Sequence, residues 1–307
     1  MFYFAFKFYN MKKIAVVLLA ILTVAGIQSC QSTKSATTSK MLKFNFEKGK
    51  GYDYEMIVNM DQEMEGKKMQ MDVTTYYSMD VVDEVGDNKI ITTTYDRFKM
   101  NMQVGPFNID VDTDKPMQSM GEIEGKDPVK MINSILGAIK GRKFTMKVDA
   151  EGRIVEVTGL SGMAQSIVDS MGFDEKMKEQ MKQQFDKQFN EKNVKDQFER
   201  VLYIFPNKTV KVGDSWQKST SPGGPMAGKY TSTYTVSEIE GDMVTLEEKS
   251  KIEGSSDNMK GTITGTLVID SRSGLVVAAD QDMNLKMGAD GKEVKIIGKT
   301  KIKGVGR

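Results

Sequence analysis

The stretch Tyr52-Asp53-Tyr54-Glu55-Met56-Ile57-Val58-Asn59-Met60-Asp61 decides the fold class. Tyr52, Tyr54, Met56, Val58 and Met60 alternate with Asp53, Glu55, Asn59 and Asp61, the period of a half-buried β-strand. Met69, Met71, Val73, Thr75, Tyr77, Met79 and Val81 extend the pattern. Glu84-Val85-Gly86-Asp87-Asn88 then supplies turn residues before Ile90 to Tyr95 returns. Phe98, Met100, Met102 and Val104 form another alternating run, stopped by Gly105-Pro106.

The second half uses the same grammar, with Tyr230, Ser232, Tyr234 and Val236 leading into a turn at Glu238-Ile239-Glu240-Gly241-Asp242. Each half also holds a hairpin turned by an Asp and a Gly. One turns at Asp149-Ala150-Glu151-Gly152 and the other at Asp270-Ser271-Arg272-Ser273-Gly274. In such turns Asp accepts backbone hydrogen bonds and Gly takes the positive φ. We read a diverged internal duplication, the alternative being that hairpins of any β protein look alike.

Helix is expected in two places. Pro128 opens a short helix near 127–140, ended by Gly141. Residues 161–204 read as a helical insertion in which Met177, Met181, Phe185 and Phe189 recur every four residues, with a fresh cap at Asn193 and Asp196. The expected fold is mainly β: a strongly curved antiparallel sheet or incomplete barrel, made of a first half at 42–160 and a second at 205–307, covered by the insertion. A two-lobed arrangement with one sheet per half is the competitor.

The N-terminus reads as an address. Met11-Lys12-Lys13 and the apolar run Ile14 to Ile27 form a signal peptide ending at residue 29, with Met11 as the true start. Ile27-Gln28-Ser29-Cys30 resembles a bacterial lipobox, which makes Cys30, the chain's single cysteine, the lipidation site. Residues 30–41 are then a lipidated, Ser/Thr/Lys-rich flexible tether. Residues 31–40 hold no acid, which favours the periplasm-facing leaflet of the outer membrane over the cell surface.

Composition removes several chemistries. The 307 residues include no histidine, which excludes His-based catalysis and the usual zinc sites. One cysteine excludes an internal disulfide or a CxxC pair. A net charge of +1 speaks against nucleic acid as partner. Asp110, Asp112 and Asp114 are spaced like calcium-loop ligands, but Lys115 stands where that loop needs glycine, so no metal or other cofactor is expected. Ser215 and Lys218 form an S-x-x-K in a strand-and-turn context rather than at a helix start, so no catalytic residue is assigned.

The 24 methionines crowd the first-half strands and suit a wall that re-packs around apolar ligands. Tyr52, Tyr54, Met56, Met100, Met102 and Trp216 are the expected lining.

The segment Phe205-Pro206, then Val210-Lys211-Val212-Gly213-Asp214-Ser215-Trp216, resembles a family of uncharacterised Bacteroidota lipoproteins, a domain of unknown function. The resemblance implies an envelope location and carries no catalytic residues. The expected architecture is also similar to periplasmic lipoprotein carriers.

The expected function is therefore that of an outer-membrane-anchored, periplasm-facing lipoprotein, a non-catalytic binding module for an apolar or amphiphilic envelope ligand. An adaptor that binds an envelope protein is the alternative, and a carboxylate-dependent hydrolase is third. Cells fed radiolabelled palmitate are expected to label the chain, and Cys30→Ala is expected to abolish the label; a labelled Cys30→Ala protein would overturn the lipobox reading.

Overall fold

The computed structural model describes residues 38–64, 66–104, 107–116, 128–169, 175, 178–179, 182–183, 190–223, 227–254, 259–289 and 292–307. The first half contributes β1 (Ser39–Leu42), β2 (Gly51–Met64), β3 (Lys67–Val85), β4 (Asn88–Val104), β5 (Phe107–Asp112), β6 (Lys143–Val148) and β7 (Ile154–Thr158). The second contributes β8 (Lys208–Lys211), β9 (Ser215–Thr220), β10 (Gly228–Glu240), β11 (Met243–Gly254), β12 (Met259–Asp270), β13 (Leu275–Ala289) and β14 (Lys292–Gly306). Among the described residues, the helices with defined bounds are α1 (Pro128–Ile139), α2 (Met163–Asp169) and α3 (Glu191–Leu202).

One antiparallel sheet runs β7-β6-β4-β3-β2-β14-β13-β12-β11-β10-β9, with β5 beside β6 on the same edge of β4, pairing Lys99–Val104 where β6 pairs Lys89–Thr94. The two halves meet where β2 pairs with β14, so there is one continuous sheet and not one per lobe. Eleven strands in line would span about 50 Å if flat. Yet α3, about 18 Å long, touches both terminal strands, β7 and β9. The sheet is therefore curled, but β7 and β9 share no ladder and the barrel is not closed.

Side chains hold the open seam. Phe198 of α3 packs edge-on against Tyr77 of β3 and Phe144 of β6. Glu199 accepts a hydrogen bond from the Ile154 amide at 3.0 Å, and Lys218 of β9 meets Glu151 of the β6–β7 turn at 2.5 Å. The Trp216 indole donates to the Ile204 carbonyl at 2.7 Å, fixing β9 beneath the end of α3.

One end of the curl is filled by the N-terminal segment. β1 pairs with β8, and the chain then crosses both Asp–Gly turns, with the Phe44 amide donating to Ala150 and the Asn45 amide to Ser273. Phe44 and Phe46 are fully buried, the latter stacked on Tyr52. Ser39–Leu42, most of which was expected to lie in a flexible tether running through residue 41, is a strand with a partner, and Lys40 pairs with Asp242.

Local expectations met the structure unevenly. Asp149 and Asp270 both accept amide hydrogen bonds from their turns, and Gly152 and Gly274 take positive φ, as the hairpin reading requires. The expected runs at 90–95 and 98–104 are one strand, because the bulged residue Asp96 lets Tyr95 and Phe98 face the same side. Pro128 does start α1, whereas the cap of α3 is Asn190, not Asn193, whose amide it receives at 2.9 Å. Met177, Met181, Phe185 and Phe189 lie outside the described residues.

A Cβ on Gly152 would sit 1.7 Å from the Leu202 carbonyl oxygen, whereas one on Gly86, also at positive φ, meets nothing. In urea denaturation Gly86→Ala is expected to cost about 1 kcal/mol, and Gly152→Ala upwards of about 3 kcal/mol. On the β4–β5 flank, hydrogen bonds from the Arg97 guanidinium hold the Asp112 carboxyl down at about 2. A pKa lowered on folding stabilises above the unfolded value, and that contribution is lost as pH falls towards 2. Arg97→Gln should move the Asp112 titration, followed by carboxyl carbon NMR, upwards towards that of a free aspartate.

Candidate functional site

The cross-strand register builds a cavity on the concave face. Tyr234, Glu248, Gly265, Gln281, Thr300 and Val58 stand side by side on β10 to β14 and β2. The neighbouring row is Ser232, Ser250, Ile263, Met283, Gly298 and Met60. These rows, with Met56, Tyr230 and Ile302, form the floor, and Gln197, Arg200 and Val201 of α3 form the opposite wall of a cavity of about 430 Å³. Thioether, aliphatic and ring surface dominates the floor, and polar or charged groups come both from the sheet, with Ser232, Glu248 and Gln281, and from the helix wall and β9, with Gln197, Arg200 and Lys218.

Glu248 is the carboxylate among those from the sheet. It takes an inward position between Leu246 and Ser250, in the register that Val244, Leu246 and Ile252 use for the core, and is 5% exposed. Ser250 donates to its Oε1 and Gln281 to its Oε2, both at 2.5 Å. Ser250 has thereby spent its proton, so the Ser232 hydroxyl, 2.6 Å away, is the donor to Ser250. Gln281 crosses a whole strand to reach Glu248, and it can because the intervening residue is Gly265, where a Cβ would meet the Asp280 carbonyl oxygen at 2.3 Å. Burial pushes the Tyr234 phenol up, and the neighbouring Glu248 charge adds to the shift.

At the rim, Lys218 lies over the Tyr203 ring at 4.3 Å, and the Arg200 guanidinium lies 5.4 Å from the Tyr230 ring centre. Burial also raises the Glu199 carboxyl, opposed by Lys195.

Of the six residues expected to line a ligand, Met56 lies on this cavity. Tyr52 and Tyr54 are core residues, stacked on Phe46 and Tyr77. Met100 and Met102 pack under α1 with Ile109, Val111 and Leu136. Trp216 packs on the core beside Tyr234 and serves the seam. Cys30 lies outside the described residues. Residues that the reading missed are Met60, Met283, Tyr230, Glu248 and Gln281; Glu248 on an apolar register was the available signal.

The two weighed alternatives also have definite places. Asp112 and Asp114 are engaged by Arg97 and Lys140, with no cluster of three or more ligating acids among the described residues. Ser215 donates to the Tyr234 carbonyl while Lys218, three residues along a strand and so on its other face, pairs with Glu151.

Solved structures with some likeness are the translocator domain of autotransporter NalP from Neisseria meningitidis, OccK5 (OpdH) of Pseudomonas aeruginosa, and Ail, the attachment invasion locus protein of Yersinia pestis. The first is 7% identical, with 84% of this chain and 89% of that chain covered and a TM-score of 0.28. The second is 7% identical over 86% and 99%, with a TM-score of 0.22, and the third 4% identical over 84% and 100%, with a TM-score of 0.15. Scores this low place the chain in none of those folds. No curated protein matches the chain. A family model does match, across residues 86–276, from the β3–β4 turn into β13: the chain belongs to DUF6263, a family of unknown function.

Proposed function

We propose that this protein is a lipoprotein, anchored through Cys30 to the periplasm-facing leaflet of the outer membrane, that holds an apolar or amphiphilic envelope component without transforming it. The observation that carries the reading is the cavity itself. Its volume of about 430 Å³ falls within the range of about 300–1,000 Å³ usual for small-molecule sites. Met56, Met60 and Met283 give walls that adapt to a flexible chain. The helix wall and the sheet floor come from the insertion and from both halves, consistent with a duplicated sheet serving one ligand. Lipidation keeps such a carrier close to the membrane that supplies its ligand.

The Cys30→Ser protein, which stays unacylated, is the material for the test. It is expected to carry co-purifying lipid, read by mass spectrometry after solvent extraction, and to enhance the emission of a neutral polarity-sensitive dye. Met60→Trp, which fills the cavity, is expected to weaken the dye by about tenfold or more, with folding checked by its urea midpoint because overpacking costs about 1–3 kcal/mol. A Cys30→Ser protein with neither lipid nor dye binding would sink the proposal.

A further inference from the structure

A carboxylate this deep in an apolar wall is normally paired with a cation. Glu248 receives two neutral donors, Ser250 and Gln281, and no lysine or arginine among the described residues forms an ion pair with it. The cationic groups that do reach the cavity are otherwise placed. Lys218 is committed to Glu151 across the seam, and Arg200 is exposed at the rim over Tyr230. The hydrogen bonds from Ser250 and Gln281 hold the carboxylate in one position without neutralising it, and the Ser232 proton backs Ser250. Tyr234 stands directly beside Glu248 in the register, and Tyr230 lines the same cavity two register rows further along β10.

We infer that Glu248 is a head-group anchor, and that the ligand is an amphiphile bearing an amine, protonated at neutral pH, on an apolar tail. This deepens the carrier reading and rests on it. The ammonium supplies the missing positive charge to Glu248, and its remaining N–H groups or methyl groups lie against the neighbouring Tyr234 ring, since aromatic rings attract cations. The tail runs along Val58, in the anchor's own row, and Ile263, Met283 and Met60, in the next. An anionic head at the same depth meets the carboxylate directly and is disfavoured, and a neutral head gains only hydrogen bonds. Gly265 is part of the device: a side chain there would displace Gln281 and release one oxygen of Glu248.

The test ranks single-chain probes of equal length, dodecylamine, dodecanol and dodecanoate, by displacement of the neutral dye from Cys30→Ser protein below their micellar concentrations. Dodecylamine is expected to displace at a concentration about tenfold lower than dodecanol, with dodecanoate weakest. In Glu248→Gln the advantage of the amine over the alcohol should shrink to within about twofold. The wild-type ranking needs no variant, so it stands even where Glu248→Gln folds poorly. Dodecanol binding as well as dodecylamine would overturn the anchor and leave the carrier reading intact. An amine advantage that survives in folded Glu248→Gln would overturn the assignment to this residue. Failure of every probe and of the dye would remove the carrier reading and this inference together.

Discussion

The architecture depends on how the seam between β7 and β9 is held. A curled sheet with two open edges exposes unpaired backbone groups, and short edge strands covered by another element are one remedy. Here the remedy is α3, whose Phe198 enters the aromatic cluster of Tyr77 and Phe144 while Glu199 caps the Ile154 amide. The ion pair between Lys218 and Glu151 and the bond from Trp216 to Ile204 tie the second edge to the same place. Closing the seam with a helix has a consequence that closing it with a ladder would not. One wall of the interior is made of side chains standing on a helix, and the space between that wall and the sheet is left as a cavity.

Register decides what faces the cavity. A one-residue slip would send every inward side chain outwards, and exposed ion pairs bridge some of the outward positions. Lys299 of β14 meets Asp280 of β13 at 3.2 Å, and Arg307 meets Asp53 and Asp80 at 2.8 and 2.9 Å. Each such exposed pair contributes little by itself, and the native register also sets Lys286 opposite both Lys260 and Lys295, so the buried face and not the charges fixes the register. Bulges do the complementary work. At Asp96, and where the ladders shift between Val236 and Glu238, an extra residue bends the strand and still returns the apolar series to the inner face.

Alternation made β2, β3, both Asp–Gly hairpins and the mainly-β class legible, because period two and turn chemistry are local properties of a chain, whereas the single sheet rests on the distant pairing of β2 with β14. The cavity was not legible in the same way, because it depends on which strands lie side by side. Met56 and Met100 look alike in sequence, yet one faces a cavity and the other packs under α1, and only the order β4-β3-β2-β14 separates them. Tyr52 and Tyr54 share the strand and face of Met56 but sit towards the end that Phe44 and Phe46 fill. Glu248 was different. Its position on an apolar register was visible in Val244, Leu246 and Ile252, and a carboxylate in such a row marks a place where burial is tolerated for a reason.

The distribution of polarity also bears on how this molecule can meet a membrane. A barrel that spans a bilayer turns its apolar band outwards and its polar residues towards the lumen. In this sheet the outward positions of β2, β13 and β14 carry Asp53, Glu55, Asp280, Asp282, Lys299, Lys301 and Lys303, while Met56, Met60, Ile302 and Met283 face in. Placing those strands in hydrocarbon would bury rows of charge and leave the interior without contact to the lipid. The sheet therefore turns its apolar surface towards the interior and its charged surface towards water.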